Sequence, residues 1–510
     1  MTRGPDGRPN DADRGASASA DLSAGADVDA DADSDTGADA DVRNNPRSTI
    51  GPTRRGFLRA TAGTAAAVAG FSAVTAATPA DEYRSVVDLV DDFGADDTGE
   101  APIDDALAEA VALDDVRIDL PEGTYWIADE GFERWRFGEG AESEEVSNVA
   151  LVGHGDVTLR PTQGTHEPIL TLWGERVRLE NVRIDQTGHH TSTGVSVVAE
   201  EELVVRDVAV DGVGDGPAEP VDSPAEALEG AAAIIVGALD SDGTARVSNV
   251  QAPDGSIPYH RKVGCWVNEL HEGDLLIEES TFSQFSDNGI YGSGPGPGDG
   301  SVRVEHCTFR NNNVSAIRLG TAGSYAKHCT VVIERDEVPV LPWGGLASRA
   351  VWLWYDFDGY LQDIDVTCDH PRGMGVYTDQ SQAGPITVED CRFEFDADGS
   401  DVVRVHAAEG LLTLENVSIV GDAGDGPAVT VTGRDVAIEN LCLRQTGANR
   451  DGLHLTGVAG TVDDASIDVS GTRIVADGDV TVGSLGDGGD GSEGGCSSLP
   501  ARSSSSSRSN

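Results

Sequence analysis

The sequence predicts an all-β fold, a parallel β-solenoid, from three observations. First, a short unit recurs eleven times: a polar residue, a small or apolar residue, any residue, then an apolar one. Its polar positions are Asn181, Asp207, Asn249, Glu279, His306, His328, Asp363, Asp390, Asn416, Asn440 and Asp464. The successive spacings are 26, 42, 30, 27, 22, 35, 27, 26, 24 and 24 residues. A base period in the mid-twenties with a few insertions is one coil of a solenoid. Second, most units are followed by another strand-like tetrapeptide, from "GVSV" at 194–197 to "GLHL" at 452–455, alternating inward and outward residues. Third, the repeats show no helical period and are separated by Gly/Asn-rich turns.

The elements can be justified in chain order. Residues 1–53 are Asp/Ala/Ser/Gly-rich without apolar periodicity and are expected to be a disordered acidic tail. Thr53-Arg54-Arg55-Gly56-Phe57-Leu58-Arg59, an Ala/Gly/Val run and small residues near Ala77 and Ala80 follow. That order resembles a twin-arginine export signal over 54–80, which implies delivery to the extracellular space or cell surface. The solenoid is expected over 81–483. A flexible Gly/Ser-rich tail, with an incidental Cys496, is expected over 484–510.

The start of the solenoid reads "VDDFGADDTGEAPIDDALAEA…VRIDLPEGTYWI" over 90–127. It resembles the opening of pectate-lyase-superfamily proteins, in which a "DFGA" strand precedes a capping helix and an "LPxGTY" strand. Ile103, Leu107, Ala110 and Val111 have helical spacing, and Pro102 suits a first turn. Such a helix would cover the open end of the stack. The resemblance implies a single right-handed parallel β-helix of about eleven coils with an N-terminal capping helix. It does not imply one reaction.

Composition narrows the partners. The chain has 510 residues, 35 Lys+Arg, 89 Asp+Glu and a formal net charge of -54. Nucleic acid is excluded, because phosphate binding needs clustered basic residues. Only two lysines occur, Lys262 and Lys327. Abundant Asp with scarce Lys resembles proteins of extreme halophiles, in which surface acidity serves solubility. The seven cysteines show no CxxC pair or zinc spacing. Cys307, Cys329 and Cys391 fall at inward repeat positions, where free Cys acts as small apolar filler. Cys307 and Cys329 are close enough for a disulfide, but stacked side chains run parallel, which disfavours one. No stretch suits a membrane span.

The outward positions of the second strands carry the functional expectation. Stacked, they form one row: Ser196, Ile235, Trp266, Tyr291, Arg318, Trp352, Tyr377, Arg404, Thr430 and His454. The middle six are aromatic or Arg, although aromatics form 5% of the chain. Rings stack on sugar faces, and guanidinium forks bind carboxylate or sulfate. A second row holds Trp354, Asp379 and His406, while Gly264, Gly289, Ala316, Ala350 and Gly375 suggest a shallow side. The expected partner is therefore a polysaccharide or surface glycan, bound by Trp266, Tyr291, Trp352, Trp354, Tyr377, Arg372 and Arg404. The competing reading is structural: outward aromatics can pack under loops, and Asn311-Asn312-Asn313 and Asp287-Asn288 can serve turn geometry.

Hydrolysis would need two flanking carboxyl groups, with Asp287, Asp356 and Asp379 as candidates. Lyase chemistry would need a cation and a base, with Arg318, Arg372, Arg404, Lys262 and His406 as candidates. Calcium could sit on Asp oxygens, although no calcium-loop motif occurs. The polygalacturonase set, the pectate-lyase WIDH and RxPxxR elements, and the epimerase DPHD motif are absent. A non-catalytic glycan-binding β-helix is the alternative, and an epimerase a third. His189-His190, adjacent on a loop, read as solvent-facing rather than as metal ligands.

Overall fold

The structure is a computed structural model. It describes residues 82–128, 147–166, 168–216, 231–293, 297–340, 347–378, 382–406 and 409–486. The acidic tail, the export signal, Asp379 and Cys496 lie outside these residues.

All strand pairs are parallel and join one coil to the next. Three stacks of strands result. In one, Thr244–Ser248, Asp274–Glu278, Ser301–Glu305 and their successors align Val247 with Ile277, Val304 and Ala326. A second aligns Phe282 in Thr281–Ser283 with Phe309 in Thr308–Arg310, then Val331. The third runs through Lys262–Val267, Ile290–Gly292, Ser315–Leu319, Arg349–Leu353 and Met374–Thr378. Inward residues of all three merge into one buried column, with Phe282 and Phe309 stacked at 6.3 Å between ring centres. Every strand is thus paired on both sides except at the ends, and each inward residue is buried by the coils above and below.

The repeat has a simple backbone cause. All eleven polar positions adopt left-handed backbone, φ from 47° to 55°. They make the tight turn between the first and second stacks. Asn and Asp are the non-glycine residues that tolerate this conformation best, which explains the residue choice. Their side chains then pair from coil to coil. Asn416 Nδ2 donates to Asp390 Oδ1 at 3.0 Å, and Asn440 Nδ2 donates to Asn416 Oδ1 at 2.8 Å. The His306 and His328 rings stack at 4.7 Å, and His328 Nδ1 lies 2.8 Å from Asp363 Oδ2.

The next residue points into the core. There Cys307, Cys329 and Cys391 donate from Sγ to the carbonyls of Glu305, Lys327 and Glu389 at 3.2–3.3 Å. Ser280 Oγ makes the same bond to Glu278 at 2.7 Å. These buried thiols are small filler that satisfies a turn carbonyl, and Cys265 and Cys368 are buried as well. Cys442 is disulfide-bonded.

Two details of the N-terminal cap differ from expectation. The Asp-Phe-Gly stretch ends a short helix, Leu89–Phe93, rather than forming a strand. Asp88 caps it by accepting from the Val90 and Asp91 amides, and Gly94 at φ 66 closes it. Pro102 ends the strand Thr98–Pro102, so the capping helix starts later, at Asp104–Val111. Ile103 is held back because its amide donates to the Trp126 carbonyl. Leu107, Ala110 and Val111 are buried as the spacing requires.

Candidate functional site

The third stack brings the outward row together in register. Ile235 pairs with Trp266, Trp266 with Tyr291, Tyr291 with Arg318, Arg318 with Trp352, Trp352 with Tyr377, and Tyr377 with Arg404. Parallel pairing stacks equivalent positions about 4.8 Å apart. The Trp266 and Tyr291 rings accordingly stack at 4.5 Å.

The row is unevenly exposed. Trp266, Tyr291, Arg318 and Trp352 are buried at 4–6% exposure, so their faces are already occupied by neighbouring side chains. Trp354, Tyr377, Arg404 and His406 are half-buried, and Tyr355, Asp356 and Arg372 are exposed. The accessible part is therefore the stretch from Trp354 to His406, not the whole row. The small residues expected to make a shallow side face inward. A Cβ on Gly264 would meet Phe282 Cδ1 at 2.9 Å, and one on Gly375 would meet Phe393 Cδ1 at 2.8 Å. They are small because the chain enters the third stack over a core phenylalanine.

At the centre, Arg318 lies among three rings. Its guanidinium carbon is 4.3 Å from the Tyr291 centroid, 4.8 Å from Trp352 and 4.2 Å from Trp354. Arg349 sits 4.2 Å from Trp352 and 4.4 Å from Tyr377. Arg318 Nε and Arg349 Nε are buried without hydrogen-bond partners among the described residues. Neither arginine forms an ion pair among those residues, whereas most other described arginines do. Arg349 donates to the Val314 and Ala347 carbonyls at 3.2 Å. Burial pushes its guanidinium down to about 10, partly countered by the Tyr377 hydroxyl and reinforced by the nearby positive charge of Arg318 and Arg404. Arg349 escaped sequence reasoning because it precedes the alternating tetrapeptide "AVWL" and only its register opposite Ser315 and Met374 places it here.

Around this centre, Trp352 meets Trp354 edge-on at 4.4 Å and Tyr377 at 5.8 Å. The His406 ring lies 5.9 Å from Tyr377. Thr378 Oγ1 donates to the His406 carbonyl at 3.1 Å and accepts from its amide at 2.9 Å, which holds that strand end in place. Arg404 Nε pairs with the buried Asp401 carboxylate at 2.6 Å.

The remaining candidates separate. Asp287 is buried and holds the buried Arg261 Nε at 2.6 Å. It also accepts from the Asn288 amide and side chain. Asn312 bridges the Phe282 carbonyl and the Phe285 amide, and Asn313 donates to Pro339. These groups tie turns together. Lys262 is fully buried and donates to Gln186 Oε1 and to the Thr193 carbonyl, in turns separate from the ring cluster.

No family model matches the sequence, and no curated protein matches it. Solved structures with a similar chain path include the catalytic unit of a GH87 alpha-1,3-glucanase from Streptomyces thermodiastaticus strain HF3-3. It is 16% identical, covers 80% of this chain and 70% of that one, and has a TM-score of 0.39. The surface adhesin PfbA of Streptococcus pneumoniae is 10% identical, with 73% and 91% coverage and a TM-score of 0.45. The mannuronan C-5 epimerase AlgE4 A-module of Azotobacter vinelandii is 14% identical, with 78% and 100% coverage and a TM-score of 0.32. Likeness this distant assigns no activity.

Proposed function

We propose that the chain is an exported β-helix protein that binds an acidic polysaccharide, uronate-rich or sulfated, along the stretch from Trp354 to His406. One observation carries this reading. In a chain with 89 acidic and 35 basic residues, two arginines are lodged among aromatic rings with no carboxylate against them among the described residues. Burying a cation without a counter-charge is costly, and a bound anion would offset that cost. Arg404 and His406 are half-exposed and would meet the polymer, Trp354 and Tyr377 would pack on sugar faces, and Arg318 and Arg349 would supply positive charge from beneath. The twin-arginine motif at 53–59 supports export. The acidic, lysine-poor composition supports a high-salt setting. We also propose the division into tail, signal, solenoid and C-terminal tail at residues 53, 80 and 483.

The test is equilibrium binding of uronate-rich, sulfated and neutral polymers in concentrated salt. Arg404→Ala and Arg349→Met should each weaken acidic-polymer binding about tenfold or more, as expected for losing a charge-assisted contact of roughly 1.5–3 kcal/mol. Equal binding of neutral polymer, or unchanged binding by both variants, would overturn the proposal.

A catalytic second reading rests on His406 beside Tyr377, since a His/Tyr pair can carry protons in β-elimination. Ultraviolet absorbance from unsaturated ends, lost in His406→Gln, would support it. Reducing ends without absorbance would instead turn attention to Asp356 and Asp379 as a hydrolytic pair.

A further inference from the structure

Away from the aromatic row, the turns that leave the second stack at the N-terminal half hold an unusual density of imidazole. His166, His189, His190 and His260 are four of the chain's 11 histidines, and they lie on neighbouring turns. Consecutive side chains on an extended strand diverge. His190, however, has left-handed backbone at φ 53, which brings its ring onto that of His189 with centroids 3.8 Å apart. The next coil supplies a carboxylate. Asp215 reaches this turn through its own amide, which donates to the Thr191 carbonyl at 3.0 Å, and its Oδ2 accepts from the His190 amide at 3.1 Å. That oxygen lies 3.5 Å from His189 Nδ1 and 3.8 Å from His190 Nδ1. One donor atom from each of the three residues falls within 4.8 Å of the other two.

We infer that His189, His190 and Asp215 form a binding site for a divalent transition-metal ion of the zinc, cobalt or nickel class. Two imidazole nitrogens and one carboxylate oxygen match that class, whereas calcium and magnesium require mostly oxygen donors. Metal–ligand bonds of about 2.0–2.2 Å would draw the three donors closer by rotation of the exposed His189 and by exchange of the 3.0 Å contact between His190 Nδ1 and the Gly216 carbonyl for the metal. Three protein ligands leave a coordination position for solvent or ligand. Next to Asp215 in the chain, Gly216 packs against the His260 ring, with Nδ1 3.6 Å from where a Cβ on that glycine would sit. His260 Nε2 is buried with no hydrogen-bond partner among the described residues. The site is independent of the polysaccharide reading.

The test uses the full chain, stripped with chelator and titrated with zinc by calorimetry and with cobalt by visible absorption. Millimolar calcium and magnesium would occupy the acidic surface throughout. One saturable equivalent is expected, with cobalt d–d bands. Affinity should fall more than tenfold in His189→Gln and in Asp215→Asn. His190→Asn, which keeps a residue tolerant of the left-handed turn, should do the same. The exposed His189 serves as the folding-neutral arm, since its replacement leaves the turn intact. Absence of a saturable site under excess calcium, or equal affinity in all three variants, would overturn the assignment.

Discussion

Replacing Lys262 by methionine should remove a specific pH dependence from the protein's stability. The ammonium is fully buried, with no carboxylate against it among the described residues, and burial pushes it from 10.5 down to about 7. Between about pH 7 and 10.5 the unfolded chain binds this proton and the folded chain does not. Stability therefore rises with pH across that window, and below pH 7 the full penalty is present. At about 1.4 kcal/mol per pH unit, the difference amounts to about 5 kcal/mol. Methionine has similar length and does not titrate, but it leaves Gln186 Oε1 and the Thr193 carbonyl without their donor. Each loss costs about 1–3 kcal/mol. The variant should thus be clearly less stable than the parent near pH 10 and close to it near pH 6. Urea unfolding of both proteins by tryptophan fluorescence at pH 6, 8 and 10 gives the comparison. Subtracting the two profiles cancels the other titrating groups. Parallel profiles would refute the reasoning, because they would mean that the amine keeps its proton in the folded chain.

Three further outcomes are expected. Phe309→Ala, at a fully buried ring stacked on Phe282, should cost about 3–5 kcal/mol, read as a lowered unfolding midpoint. Asp287→Asn should destabilise by about 3 kcal/mol, because it removes a buried carboxylate that pairs with the buried Arg261 guanidinium. Polysaccharide binding measured well below the melting point should survive that change. Asn416→Gly should be tolerated at φ 55, whereas Asn416→Val should cost at least about 1–2 kcal/mol. Equal midpoints for the glycine and valine variants would remove the backbone explanation of the repeat.

Much of the fold is written locally. A left-handed turn every coil demands Asn, Asp or a similar residue at one position, so the period from Asn181 to Asp464 marks the coils without any long-range information. Strand alternation then assigns inward and outward sides, and parallel pairing carries the alignment from coil to coil, so that Trp266, Tyr291, Arg318 and Trp352 could be placed in one row from spacing alone. The cap was legible as a helix at Leu107 to Val111. Its start was not, because a tertiary hydrogen bond from Ile103 to Trp126 delays it past Pro102.

Exposure and pairing were decided by the tertiary structure. Whether an outward ring meets solvent depends on what neighbouring turns place over it, and no local pattern records that. Trp266 and Trp352 are buried while Trp354 and Tyr377 keep an accessible edge. Whether a carboxylate is free also depends on a partner from another coil, as with Asp287 and Arg261, 26 residues apart. Arg349 beneath Trp352, and Asp215 beside His189 and His190, exist as neighbours only because successive coils stack at one strand spacing. The sequence determined the period, the turn chemistry and the row. The stacking of coils decided which charges are paired, which rings are covered and which side chains converge.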